Sequence, residues 1–191
     1  MIKTAIFSGS FNPVHVGHLV LANYLCEFTD VDEVWLMVSP QNPMKEPNHA
    51  VDARLRFQLL QQALLNDNKL KASDFELYLP TPTYTIHTFN ALRNQFHDRE
   101  FSLLIGADNW VIFDQWKDYQ EILRSYPVWI YPRHGFPVTV PASLPAVKML
   151  DAPVIDISST FIRQSVSEGK EMRRWVPETV WKFIVEKQLY K

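Results

Sequence analysis

Glycine is scarce in this chain, at five of 191 residues, and cysteine is represented by Cys26 alone. One cysteine excludes an intrachain disulfide and suits a reducing compartment such as the cytosol. Cys26 lies in an apolar helical stretch, where it reads as a small core residue rather than a reactive thiol. No apolar run approaches the roughly 20 residues of a membrane span. Met1 leads straight into the strand-like "KTAIFSGS", without the pattern of a signal peptide. Blocks of positive charge are missing as well. The 19 Lys and Arg are set against 21 Asp and Glu, for a formal net charge of -2, which excludes nonspecific binding to nucleic acid through a basic tail. Any site for an anion must therefore be built locally. The two familiar phosphate motifs, GxGxxG and GxxxxGK(S/T), do not occur, and neither do internal repeats or low-complexity tracts.

What the chain does have is an ordinary globular composition, 47% hydrophobic and 21% charged, at a length that fits one domain with a real core. Strand and helix signals alternate along it. Residues 4–8 ("TAIFS"), 33–39 ("EVWLMVS"), 100–106 ("EFSLLIG") and 127–132 ("PVWIYP") read as buried strands, and weaker strands are expected near 71–77, 147–150 and 153–157. Helical spacing predicts helices over 16–28, 52–65, 85–96, 159–168 and 177–187, with Pro177 suited to a first turn. Repeated strand–helix units imply an α/β fold with a mostly parallel sheet flanked by helices, in a single domain over 1–191 with a small C-terminal helical part from about 159. The segments 40–47 and 133–146, rich in proline, read as loops.

In sheets of this kind ligands sit beyond the carboxyl ends of the strands, so the strand-to-helix turns carry the interest. The first turn, "GSFNPVHVGH" (9–18), places two of the five glycines around two histidines. Gly9 and Gly17 read as room for a close approach of phosphates, and Pro13 stiffens the loop. His15 and His18 are three residues apart and share a face of the first helical turn. Together with free amides at the helix start they would cradle an anion. The spacing by itself leaves an ordinary turn with incidental histidines open. A zinc site lacks both HExxH and a cysteine cluster, so no metal ligand is assigned. The second turn, "DISSTFIRQSVSEG" (156–169), puts Ser158, Ser159 and Thr160 at a helix start, with Arg163 on the face of Ser159. Here a plain cap with a solvated Arg is the competing reading. Two such turns in one sheet favour a phosphate site.

These two segments resemble the HxGH and ISSTxxR signatures of the nucleotidyltransferase α/β superfamily. With "PQNPMK" (40–45), "PTYTIHTF" (82–89), "IGADNW" (105–110), Trp116 and "VPETVWKFIVEKQLY" (176–190), the chain resembles the bacterial nicotinate mononucleotide adenylyltransferases from Thr4 to Tyr190. Met44 stands where that family commonly has His, and His87 where it commonly has Asp.

The resemblance implies a Rossmann-like sheet and a reaction between ATP and nicotinate mononucleotide that yields deamido-NAD and pyrophosphate, with Mg2+ accompanying ATP. It implies His15, His18, Lys45 and Arg163 as the catalytic groups. ATP would meet Gly9, Ser10, Phe11, His18, Gly106, Asp108, Ile157, Ser158, Ser159 and Arg163. The mononucleotide would meet Asn12, His15, Lys45, Thr85, Asp108 and Trp116, with Trp116 stacked on the pyridine ring. Arg133 ranks low as a phosphate contact. The residue chemistry agrees with such a reaction: a phosphate monoester is already a nucleophile, so the site must supply position and positive charge rather than a base. In "PTPTYTIHTF" (80–89), Thr83 or Thr85 is expected to cap a helix whose outward amides would receive a pyridine carboxylate. The alternatives are a phosphopantetheine adenylyltransferase, an enzyme for the amide nucleotide, and a non-catalytic nucleotide sensor on the same fold.

Overall fold

The computed structural model describes residues 1–40 and 51–191, so Met44 and Lys45 lie outside the described residues. Six strands form one sheet: β1 (Ile2–Gly9), β2 (Glu33–Val38), β3 (Leu70–Ser73), β4 (Arg99–Gly106), β5 (Val128–Tyr131) and β6 (Val147–Met149). Their order is β3-β2-β1-β4-β5-β6, and each of these neighbouring pairs is parallel. The apolar strand runs follow from this placement. Ala5, Ile6, Val34, Leu36, Leu103 and Leu104 are at most 2% exposed, because helices cover both faces of a parallel sheet. Each of the Ile, Val and Leu side chains contributes about 1.5–3 kcal/mol by leaving water.

Among the described residues seven α-helices accompany the strands: α1 (Val16–Phe28), α2 (Ala53–Ala63), α3 (Thr85–Gln95), α4 (Ala107–Trp110), α5 (Tyr119–Ser125), α6 (Ser159–Ser167) and α7 (Glu178–Glu186). Strand alternation divides the core in two. Ala5, Phe7 and Leu104 pack with α1, α2, α6 and α7, whereas Ile6, Leu103 and Ile105 pack with α3 and α5. The chain runs from β1 outward to β2 and β3, then crosses back to β4 on the other side of β1. Strand order thus reverses between β1 and β4, which opens a crevice beyond their carboxyl ends.

Two expected strands differ. Residues 153–157 are irregular, because β5 ends at Tyr131 and offers no further edge, and Pro153 has no N–H to give a ladder. Ile155 and Ile157 still pack against the core, so the apolar pattern marked burial rather than pairing. The strand expected over 71–77 stops at Ser73, where its partner β2 is about to end, and a 3-10 turn spans Phe75–Tyr78. Pro177 is the cap residue preceding α7 rather than part of its first turn.

Candidate active site

The loop from β1 into α1 lies at the mouth of the crevice. Phe11 has φ 44, and its ring lies over Gly9, 3.1 Å from where a side-chain carbon there would stand. Gly17 is constrained in the same way: a Cβ would meet the His15 ring at 3.1 Å and Ile155 at 3.2 Å. The chain's own side chains thus pack closely over both glycines, and a larger residue at either would require Phe11, His15 or Ile155 to give by a few tenths of an ångström.

His15 is the residue preceding α1 and is 4% exposed. Burial, and secondarily the charge of Arg133, pull its pKa from 6.5 down to about 4, so the ring is neutral at ordinary pH. It stacks on His18 with centroids 3.6 Å apart. The backbone N–H of His15 donates to His18 Nδ1 at 3.2 Å, so a neutral His18 carries its proton on Nε2. The edges of Phe7 and Phe11 hold the other sides of that ring. The helical spacing of the pair thus yields two stacked imidazoles at a helix start, with His15 held neutral by its burial.

The second turn docks onto the first. Ser159 Oγ donates to the carbonyl of Pro13 at 2.9 Å across 146 residues of sequence, and Arg163 Nη1 donates to the carbonyl of Asn12 at 2.9 Å. Arg163 Nη2 also donates to Thr160 Oγ1 at 3.3 Å. Ser158 caps α6 by accepting the Phe161 N–H at 3.1 Å, and Ile157 packs on the core behind it. The hydroxyls of Ser158 and Ser159 are thus engaged within the protein, and the two helix starts are brought together. Asn12 is 5% exposed and accepts from Tyr190 near the C terminus at 2.8 Å.

Sequence reasoning missed Arg56. This residue of α2 is 3% exposed, and its guanidinium donates to the carbonyls of Ser10, Ser39, Pro40 and Val51. It therefore ties the first loop to the residues on either side of 41–50, the segment that carries Lys45. An arginine within an amphipathic helix gave no signal of such a role.

A cavity of about 530 Å³ adjoins this region, lined among others by Ser8, Ser39, Tyr84, Thr85, Asp108 and Trp116. A Cβ at Gly106 would stand 2.2 Å from Asp108 Oδ1 and 3.0 Å from the Tyr131 ring, so a larger residue there would have to displace the Asp108 carboxylate. Asp108 forms an ion pair with Arg133 at 3.5 Å, and the Arg133 guanidinium lies over the Tyr131 ring. Arg133, ranked low from sequence, is thus at the site, and its charge acts on both Asp108 and His15. Trp116 packs on Phe113 with centroids 5.0 Å apart, and its Nε1 is buried without a hydrogen-bond partner among the described residues. The cap of α3 is neither Thr83 nor Thr85. Tyr84 holds that position without a side-chain cap bond, and Thr85 is the first helical residue. The amides expected to face outward there consequently have no hydroxyl cap. His87 is exposed, at the edge of the Tyr84 ring.

A larger cavity, about 670 Å³, opens at the opposite, amino ends of the strands beside Met1, Lys3 and Phe101. Ligands of open α/β sheets bind at the carboxyl ends, so the smaller cavity is the candidate site. Among the described residues no three His, Cys, Asp or Glu gather to hold a metal, and no helix is long and apolar enough to cross a membrane.

Comparison with known proteins agrees with this geometry. A family profile described as cytidylyltransferase-like matches residues 6–165. The probable nicotinate-nucleotide adenylyltransferase of Bacteroides fragilis is 48% identical over 184 residues, covering 96% of this chain and 92% of that protein. The one from Flavobacterium johnsoniae is 39% identical over the full length of both. This chain belongs to the nicotinate-nucleotide adenylyltransferase family. The nicotinic acid mononucleotide adenylyltransferase of Plasmodium falciparum, solved in complex with NaAD, superposes with a TM-score of 0.82 over all of this chain and 98% of that one. At 16% identity that likeness speaks for the fold, which the family shares across distant sequences.

Proposed function

We propose that the protein transfers the adenylyl group of ATP to nicotinate mononucleotide, forming deamido-NAD and pyrophosphate in NAD biosynthesis. The observation that carries this reading is the docking of α6 on the first loop, through Ser159 to Pro13 and Arg163 to Asn12, beside a cavity that ends at the open start of α3. The mononucleotide phosphate oxygen bonds to the α-phosphorus of ATP as the bond to the pyrophosphate oxygen breaks. No general base is needed. His18 presents Nε2–H, and His15, Lys45 and Arg163 complete the donors around the phosphates. Arg163 keeps further N–H donors besides the two that it uses within the protein. ATP lies along Gly9, Ser10, Phe11, Gly106, Ile157, Ser158 and Ser159. The pyridine ring stacks on Trp116 and its carboxylate faces Thr85, with Asn12 and Asp108 beside the sugar and phosphate. Mg2+ comes with ATP, held through the phosphates, since it keeps several waters and needs few protein ligands. The cytosol is the compartment that suits this chemistry and the single free Cys26.

Acid is favoured over amide. A carboxamide NH₂ would face amide donors at α3, an unpaired buried contact costing about 1–3 kcal/mol. Pyrophosphate release should therefore give roughly ten- to hundredfold higher kcat/KM with nicotinate mononucleotide than with the amide nucleotide. Phosphopantetheine should give no turnover. Equal values for acid and amide would refute the assigned selectivity, and absence of turnover with every acceptor would favour a nucleotide sensor.

A further inference from the structure

Glu76 is a buried carboxyl that the proposed chemistry leaves unused. It lies in the 3-10 turn Phe75–Tyr78 and is 5% exposed. Its partners are hydroxyls rather than a cation. Ser8 Oγ donates to Oε2 at 3.2 Å, Thr88 Oγ1 donates to Oε1 at 3.0 Å, and the Ser39 hydroxyl is a third. Burial pushes the pKa of the group up while the three hydroxyls pull it back, and no charged side chain contributes. A carboxyl in such a place adds little to stability compared with an apolar residue of similar size. Its geometry suggests what it does instead.

The three hydroxyls belong to three separate elements around one cavity, two of them, Ser8 and Ser39, lining it. Ser8 is the residue before Gly9 at the end of β1. Ser39 follows β2, and its N–H donates to the Gly9 carbonyl at 3.0 Å. Thr88 lies one turn into α3, where its N–H donates to the carbonyl of Tyr84, the cap of that helix, at 3.1 Å and its hydroxyl proton is left for Glu76. Ser8, Ser39, Tyr84 and Thr85 all line the cavity, whereas Glu76 stands behind them. The first turn of α3 is therefore joined to the two strand ends through one side chain.

We infer that Glu76 is a positioning residue for the pyridine nucleotide: it fixes the start of α3 against the ends of β1 and β2, and so sets the acid preference of the site. The inference rests on the reading of that helix start as the seat of the carboxylate. A rigid span is what such a substrate requires, since its phosphate end and its carboxylate end are anchored on different elements. Without the tie, α3 is free to shift relative to the phosphate loop, and the two anchors no longer fit one ligand. ATP, which relies on the first loop and α6, is not held by α3.

Glu76→Ala removes all three bonds. Glu76→Gln keeps one oxygen as acceptor and offers an NH₂ to a second hydroxyl. Calorimetric titration with nicotinate mononucleotide should show affinity falling by roughly tenfold in Glu76→Ala, about the effect of one lost net hydrogen bond. The ratio of acid to amide affinity should fall with it, affinity for a non-hydrolysable ATP analogue should stay within about twofold, and Glu76→Gln should recover most of the loss. Unchanged acid affinity in Glu76→Ala would overturn the inference. Equal losses for both ligands would too, as would a Gln variant as weak as the Ala variant. If Glu76→Ala does not fold, Thr88→Val cuts the same tie at α3 alone and should shift the acid affinity without shifting that for the analogue. Turnover by the unaltered protein is a separate measurement: its failure would count against the proposed reaction, while the binding comparison still decides the role of Glu76.

Discussion

Acid should unfold this protein partly through one imidazole. His15 is neutral in the fold, with its pKa pulled from 6.5 to about 4 by burial and by Arg133. In the unfolded chain it titrates at its ordinary value, so below that value the unfolded state binds a proton that the fold refuses. The contribution is therefore unaffected above about pH 7, falls as pH drops through the window from 6.5 toward 4, and is fully lost below it. At about 1.4 kcal/mol per unit of pKa displacement, the whole effect is about 3 kcal/mol, of which about 2.5 is reached by pH 4.5. That is a large part of the 5–15 kcal/mol typical of a domain. The measurement is made as a difference between two proteins, so that His15 alone is read. Urea unfolding of the protein and of His15→Asn, at pH 7.5 and again near pH 4.5, isolates the group. Asn suits a position preceding a helix and does not titrate. The unaltered protein should lose about 2–3 kcal/mol more than the variant on acidification. A difference below about 0.5 kcal/mol, or one of opposite sign, would show that His15 is not held neutral by its burial.

His18→Ala should lower kcat by roughly 10²–10³, as loss of one preorganised donor does, with a smaller change in affinity for ATP, and steady-state kinetics with near-normal turnover would remove His18 from the chemistry. Arg163→Lys keeps the charge but cannot hold the Asn12 carbonyl and Thr160 together with a planar fork. It should cost well over tenfold in kcat/KM while thermal unfolding stays cooperative, and activity within about twofold of the unaltered protein would leave Arg163 as a surface residue.

The fold was legible where hydrophobic periodicity was long and strong. The helix over 16–28 and the strand ending at Gly106 were placed within a residue, because apolar positions at helical spacing over thirteen residues and a doubly buried run are both long signals. The segment 153–157 was misread because an apolar pattern reports burial and cannot report whether a partner edge exists. His15, His18, Ser159 and Arg163 were singled out because two motifs mark strand-to-helix turns, and the fold brings those turns together through bonds to Asn12 and Pro13. Arg56, Glu76 and the Asp108–Arg133 pair escaped because their partners are carbonyls, hydroxyls and a loop side chain, fixed by tertiary contact alone. Gly9 and Gly17 were recognisable as sites of close approach, but spacing could not say what approaches them.

The same contacts explain how a chain of net charge -2 can hold a triphosphate at all. A loop that receives phosphates has an electrostatic difficulty of its own, since its carbonyl oxygens carry partial negative charge and repel the ligand. Here the carbonyls of Ser10, Asn12 and Pro13 are each taken by a donor: Arg56, Arg163 and Ser159 respectively. Two of these donors are guanidinium groups, so each bond also brings a full positive charge behind the loop. The negative ends of the peptide dipoles are neutralised from within the protein, and the field that an incoming phosphate meets is that of cations and helix starts. Local arrangement thus substitutes for overall charge. It also accounts for the placing of the two arginines: Arg56 and Arg163 hold the loop from partly or wholly buried positions, so their charge acts on it from within the protein.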